Sequence, residues 1–156
     1  MNRAAVYHIS EHVFAYPVGP DAIALRLLAA RGDLTEARVR FRNMYEHVAP
    51  MASMVMAKIL TDEEHDVFEA LVTIPEKRFR YYFELQGDET VCYTSDGFRS
   101  EAGEGNCFFF PYINEDEQPS QPDWAKGAAI YQVLVDRYHD GDPSNNPPGC
   151  KARDAL

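Results

Sequence analysis

Between residues 78 and 85 apolar and polar side chains alternate without a break, with Phe79, Tyr81, Phe83 and Leu85 against Arg78, Arg80, Tyr82 and Glu84. A period of two puts successive side chains on opposite faces of an extended chain, so this run predicts a half-buried antiparallel strand. The stretch DVFEALVTI sets Val67, Glu69, Leu71 and Thr73 opposite Phe68, Ala70, Val72 and Ile74, a less tidy pattern that suits a strand buried on both faces. AIALRLLA, EARVRFRNMY, TVCYTS and CFFFPY add short runs, each bounded by turn formers such as Arg-Gly-Asp, Gln-Gly-Asp or Ser-Asp-Gly. Strands recurring at this spacing predict a β-sandwich.

Two stretches break the pattern. MASMVMAKIL, Met51 to Leu60, is rich in helix formers, and Met and Ala at that density favour core over a binding surface; its conformation stays open. After Tyr112, INEDEQPSQPDWAKGAA has acids, prolines and a lone tryptophan without alternation, which reads as a linker with a short helical turn from Pro122. Ile130 to Val135 is then continuously apolar, as in strands covered on both faces in parallel α/β sheets. The order is a sandwich, a linker and the first strand of something else.

Composition narrows the partners. The 156 residues are 46% hydrophobic and 26% charged, which suits one globular core. A formal charge of −10 argues against nucleic acid or an anionic membrane, whose phosphates would be repelled, and favours a neutral ligand or a cation. Cys92, Cys107 and Cys150 lack metal-site spacing and cannot all pair, so a cytoplasmic location is expected. No apolar stretch is long enough to span a bilayer, and no targeting signal is visible.

Four motifs are candidates for chemistry. HISEH, His8 to His12, matches a zinc-peptidase pattern, but its flanks read as extended chain, where the two rings lie too far apart to share a metal. TDEEHD, Thr61 to Asp66, reads as a solvated turn or a capped helix start. Asp140, Asp142, Asn145 and Asn146 place hard oxygen donors on a Gly/Pro-bent loop, which suits Ca2+ and an ordinary polar turn equally. Tyr45, Tyr82, Tyr93 and Trp124 could stack on sugar rings, contact a partner or fill the core. No spacing selects a catalytic pair.

DWAKGAAIYQVLVDRYHDGDPSNNP resembles the start of the catalytic (β/α)8 barrel in the cyclomaltodextrinase, neopullulanase and maltogenic amylase group of the α-amylase family. Tyr131, Gln132, Asp136, Arg137, Gly141, Asp142, Pro143, Asn145, Asn146 and Pro147 carry the match. Upstream, FAY, AIALRLLA, RFRYYFEL, YTSDGF and CFFFPYINE resemble that group's amino-terminal β-sandwich, carbohydrate-binding module family 34.

The resemblance implies an all-β, immunoglobulin-like antiparallel β-sandwich over 1–113, a linker over 114–127 and the start of a truncated barrel over 128–156. It implies a parent enzyme that hydrolyses α-1,4 or α-1,6 bonds in cyclodextrin, pullulan or starch, with an aspartate nucleophile, a glutamate acid/base and a third aspartate on later barrel strands. None of these maps here, so the chain itself is expected to be inactive. It further implies Ca2+ at Asp140, Asp142, Asn145 and Asn146, an incomplete set, and an α-glucan or cyclodextrin ligand. The parent is expected to be a homodimer. A stand-alone sugar-binding or interaction module is the alternative.

Overall fold

The computed structural model describes residues 1–114, 123–125, 127–134 and 139–149. The chain divides into two compact units, Met1–Pro119 and Ser120–Leu156.

The first unit is an antiparallel β-sandwich built from β1 (Ala15–Pro17), β2 (Ala22–Ala30), β3 (Glu36–Asn43), β4 (Ala52–Val55), β5 (Ala57–Thr61), β6 (His65–Thr73), β7 (Phe79–Gln86), β8 (Thr90–Thr94), β9 (Gly97–Arg99) and β10 (Phe108–Phe110). One sheet runs β1-β2-β6-β5; the other runs β4-β3-β7-β8-β9. One edge of β7 is filled by β3, and the other is shared by β8 at Phe83–Gln86 and β10 at Phe79–Tyr81.

The alternation in the sequence becomes the core. Phe79, Tyr81, Phe83 and Leu85 are fully buried and face Ile23, Leu25 and Leu27 of the opposite sheet. Fully burying a side chain of this size contributes about 1.5–3 kcal/mol, and β7 supplies four such residues. β6 departs from the expected burial on both faces: Phe68, Ala70 and Val72 point inward, whereas Leu71 is 56% exposed. No second layer covers that side among the described residues, so ordinary one-sided alternation results.

The open question of Met51–Leu60 resolves into two edge strands. The chain runs as β4 in one sheet, crosses at buried Met56, and continues as β5 in the other. The Met56 N–H donates to the Ala37 carbonyl at 2.8 Å, holding the crossover against β3. A bulge between Lys58 and Leu60 follows. It turns Lys58 and Thr61 to the same side, although residues three apart in a regular strand point oppositely.

Both therefore reach Asp66, which is 1% exposed. Its carboxylate accepts from Lys58 Nζ at 2.6 Å, Thr61 Oγ1 at 2.6 Å and the Gly32 N–H at 2.9 Å. Burial opposes ionisation, but these three donors outweigh it and bring the carboxyl down to about 2. The TDEEHD segment is thus a turn at Asp62, whose Oδ1 accepts from the Glu64 and His65 N–H groups, followed by an inward-facing acid. The alternative of a helix start is not realised.

In the second unit a 3₁₀ turn spans Asp123–Ala125. Among the described residues of the run expected to begin a barrel, residues 130–134 carry no strand pairing, and Ile130 and Tyr131 are 89% and 78% exposed. Val135 and most of the expected linker lie outside the described residues.

Candidate functional site

Three segments meet at one end of the β3/β7 sheet: the chain leaving β3, the residue preceding β7 and the chain leaving β10. The Met44 N–H donates to the Arg78 carbonyl at 3.3 Å, and the Ile113 N–H donates to the Lys77 carbonyl at 2.9 Å. This brings Tyr45, Arg78 and Tyr112 together. The Arg78 guanidinium lies 6.0 Å from the Tyr45 ring centre and 5.1 Å from that of Tyr112, and Nη1 donates to the Tyr45 hydroxyl at 2.8 Å. Tyr45 is 65% and Tyr112 47% exposed, so the trio forms an aromatic ledge with a cation set into it.

Beside it, the outer face of the same sheet carries a shallow cleft of about 480 Å³ lined by Arg40, Arg42, Met51, Arg80, Tyr82 and Cys107, among others. Arg40 is held by Glu84 at 2.8 Å and Arg38 by Glu36 at 2.5 Å. The Arg42 Nη1 donates to the Ala49 carbonyl at 2.6 Å, and Arg80 Nη2 to the Met44 carbonyl. Partial burial raises the Tyr82 hydroxyl above its usual range, so it is a neutral hydrogen-bonding group there.

The predicted aromatic surface divides. Tyr45 and Trp124 are exposed, and Tyr82 lies half-buried along the cleft. Tyr93 instead packs on Phe83, Phe98 and Phe108 at the border of the core. Tyr112 and Arg78 were not singled out by sequence pattern. The only sequence signal near Tyr112 was Pro111 directly after the triple-Phe run, which marks the end of that strand.

HISEH does not form a metal pair. His8 is 3% exposed in an aromatic nest of Phe14, Tyr81, Phe83 and Phe108, while His12 lies exposed with a positive φ of 55°. His8 Nδ1 is 2.6 Å from the Arg26 carbonyl and must be the donor; Nε2 is 2.8 Å from the Tyr81 hydroxyl. Burial lowers the His8 pKa to about 4, against a smaller upward pull from the Arg26 carbonyl. A neutral ring then offers Nε2 as an acceptor to the Tyr81 hydroxyl, which also lies 2.9 Å from Ser10 Oγ.

In the Asp140–Asn146 loop, Asp140 Oδ1 accepts from the Asp142 N–H at 3.1 Å and Oδ2 from the Asn146 amide at 2.5 Å. Asp142 Oδ1 accepts from the Ser144 N–H and hydroxyl at 3.1 and 2.6 Å, which lowers the Asp142 carboxyl. Asn145 closes a 3₁₀ turn opened by Pro143. The donors are the hard oxygens that Ca2+ prefers, and four side chains fall short of the 6–8 oxygens it takes.

Among known proteins, the family model described as "Alpha amylase, N-terminal ig-like domain" matches residues 1–114. Neopullulanase 2 of Thermoactinomyces vulgaris is 36% identical over 156 residues, taking in 97% of this chain and 27% of that protein. A cyclomaltodextrinase of Thermoanaerobacter pseudethanolicus is 29% identical with the same coverage. The solved structure of a cyclomaltodextrinase superimposes with a TM-score of 0.77 at 33% identity, over 96% of this chain and 26% of that one. The chain thus spans about a quarter of the length of these relatives.

Proposed function

The chain belongs to the family of alpha-amylase N-terminal Ig-like domains, and from that premise we propose that its β-sandwich is the carbohydrate-binding and dimerisation module of an α-glucan-degrading glycoside hydrolase. The parent would cleave α-1,4 or α-1,6 glucosidic bonds in cyclodextrin, pullulan or starch. The observation that carries this reading is the Neopullulanase 2 alignment, which runs through 97% of the chain and so past the sandwich into the second unit.

The sugar is assigned to the Tyr45–Arg78–Tyr112 ledge. Aromatic faces suit the C–H faces of a neutral glucosyl ring, and a guanidinium presents a fixed fork of donors to hydroxyl oxygens. The loop residues Asp140, Asp142, Asn145 and Asn146 would hold Ca2+ together with further oxygens, and the ion would contribute structural cross-linking. Hydrolysis by the family's mechanism takes a carboxylate pair flanking the bond, to which no residue here is assigned, so this chain alone is read as inactive. A cytoplasmic location belongs to the same reading.

Isothermal titration with maltooligosaccharides and β-cyclodextrin tests the ligand. Saturable heat at millimolar sugar supports it; none removes it, and cyclodextrin cleavage by the purified chain removes the inactive assignment. A second reading, a stand-alone sugar-binding or interaction module, draws on the closed core of the first unit. A reading frame past Leu156 that encodes barrel strands ending in Asp and Glu would exclude it.

A further inference from the structure

Next to the arginine cleft on the outer face of the β3/β7 sheet lies a second hollow. It measures about 420 Å³ and is lined by Tyr82, Glu84, Thr90, Ser100 and Glu101, among others. Tyr82 and Ala102 line both hollows, so the two adjoin as one trough with unlike ends. At the first end, strand register sets Arg42 directly opposite Arg80. Like charges in directly opposed positions of a sheet repel, yet both side chains line one cleft, in a chain whose net charge is −10. The Ala49 and Met44 carbonyls hold the two guanidinium groups in place, and a carbonyl orients a cation without adding a charge to oppose the repulsion. At the second end Glu84 and Glu101 bring carboxylates, and Thr90 and Ser100 bring hydroxyls. The Arg40–Glu84 ion pair, at 2.8 Å, spans the junction.

We propose that this trough binds a hexose phosphate, with the phosphate at Arg42 and Arg80 and the sugar ring beyond Tyr82, toward Glu84 and Glu101. An oxyanion between two guanidinium groups turns their repulsion into two attractions, and the planar fork of each matches phosphate oxygens bidentately. Past Tyr82, carboxylate and hydroxyl oxygens accept hydrogen bonds from sugar hydroxyls. The same carboxylates would repel a second phosphate, so the trough selects a ligand charged at one end only. Tyr82, protonated because burial raises its hydroxyl, stands where the two parts of the ligand join and has a proton to donate. The volume of the trough is of the order that small-ligand pockets have. The ligand differs in charge from the neutral glucan assigned to the Tyr45–Arg78–Tyr112 ledge, and the inference does not rest on that assignment.

Isothermal titration of the whole chain with glucose 6-phosphate should give saturable binding with a Kd of about 1 mM or below. Inorganic phosphate should bind at least about tenfold more weakly, because it reaches only the basic end. Added salt should weaken the ester, since the guanidinium contacts are partly solvated. R42Q should weaken the ester at least about tenfold without lowering the thermal midpoint, because the substitution also relieves the like-charge pair. E101Q should weaken the ester and leave inorganic phosphate unaffected, a split that a change in overall charge would not produce. Absence of saturable heat with the ester, or full affinity in R42Q, overturns the site. Equal affinity for the ester and inorganic phosphate overturns the sugar end and with it the proposal. Displacement of the ester by maltotriose would place the ligand on the ledge instead, whereas a ledge that binds no maltooligosaccharide leaves this trough untouched.

Discussion

His8 Nε2 lies 2.8 Å from the Tyr81 hydroxyl, and its Nδ1 lies 2.6 Å from the Arg26 carbonyl, so one buried ring joins the amino-terminal segment to both sheets. A neutral imidazole suits this pairing, with Nδ1 donating to the Arg26 carbonyl and Nε2 accepting from Tyr81, and burial disfavours a second ring proton.

Stability should fall as the solution is acidified. Folded His8 has its pKa lowered to about 4, so the unfolded chain, near 6.5, takes up the extra proton first. The contribution is intact above pH 6.5 and is lost progressively down to pH 4, reaching about 3 kcal/mol at 1.36 kcal/mol per unit. Urea unfolding at pH 7.5, 6 and 5 measures it. H8F should flatten the slope in that window; an equal slope in H8F would assign the effect elsewhere.

Removing Asp66 should cost more than removing its cation. D66A leaves the Gly32 N–H and the Thr61 hydroxyl without their acceptor, and should cost about 2–4 kcal/mol. K58M should cost about 1 kcal/mol, since the Lys58 side chain is 41% exposed and partly solvated. The carboxylate's own contribution is present above its unfolded value of 3.8 and is lost as pH falls through about 2, a window separate from that of His8. Chemical denaturation of both variants is the measurement, and equal costs would refute the ranking.

Strands and sandwich were legible in the sequence because a period of two leaves a direct trace in Phe79, Tyr81, Phe83 and Leu85. Met51–Leu60 was not, because a segment that changes sheets at Met56 reverses its inward side midway and so has no single period. Asp66 was hidden for a related reason: the bulge that gathers its partners adds one residue, and sequence alone does not announce it. The ledge was half visible. Tyr45 stood out as a candidate, whereas Arg78 and Tyr112 join it only through the meeting of three chain ends.

Two glycines should respond differently to alanine. At Gly32 φ is +72° and a new Cβ would meet nothing within 4 Å, so G32A should cost only the left-handed backbone penalty, about 1–2 kcal/mol. At Gly87 the added Cβ would lie 2.7 Å from the Asp33 backbone carbonyl, so G87A must displace the chain and should cost more. Thermal midpoints of the two variants decide; the reverse order would contradict the packing at Gly87.

On the ledge, Y45A and Y112A should each weaken maltooligosaccharide binding about tenfold, or about 1.4 kcal/mol, with an unchanged melting curve. R78A should weaken it at least as much, because Arg78 contacts both rings. Titration calorimetry on the three variants is the check, and full affinity in R78A would move the site away from this ledge.

Calcium should bind the Asp140–Asn146 loop of this chain only weakly, with a Kd above about 1 mM, because four side chains cannot fill its shell. Terbium luminescence excited through the protein, competed with Ca2+, measures this. Micromolar affinity would mean that further oxygens close the site.

The Met56 crossover gives one flank of the sandwich a shared fate. A single peptide, from Ala52 to Thr61, hems the margins of both sheets, so loosening it at the crossover unseams them together. Lesions here should therefore appear less as local softening than as clumping of the protein, since β3 and β6 would bare their ladders in the same event.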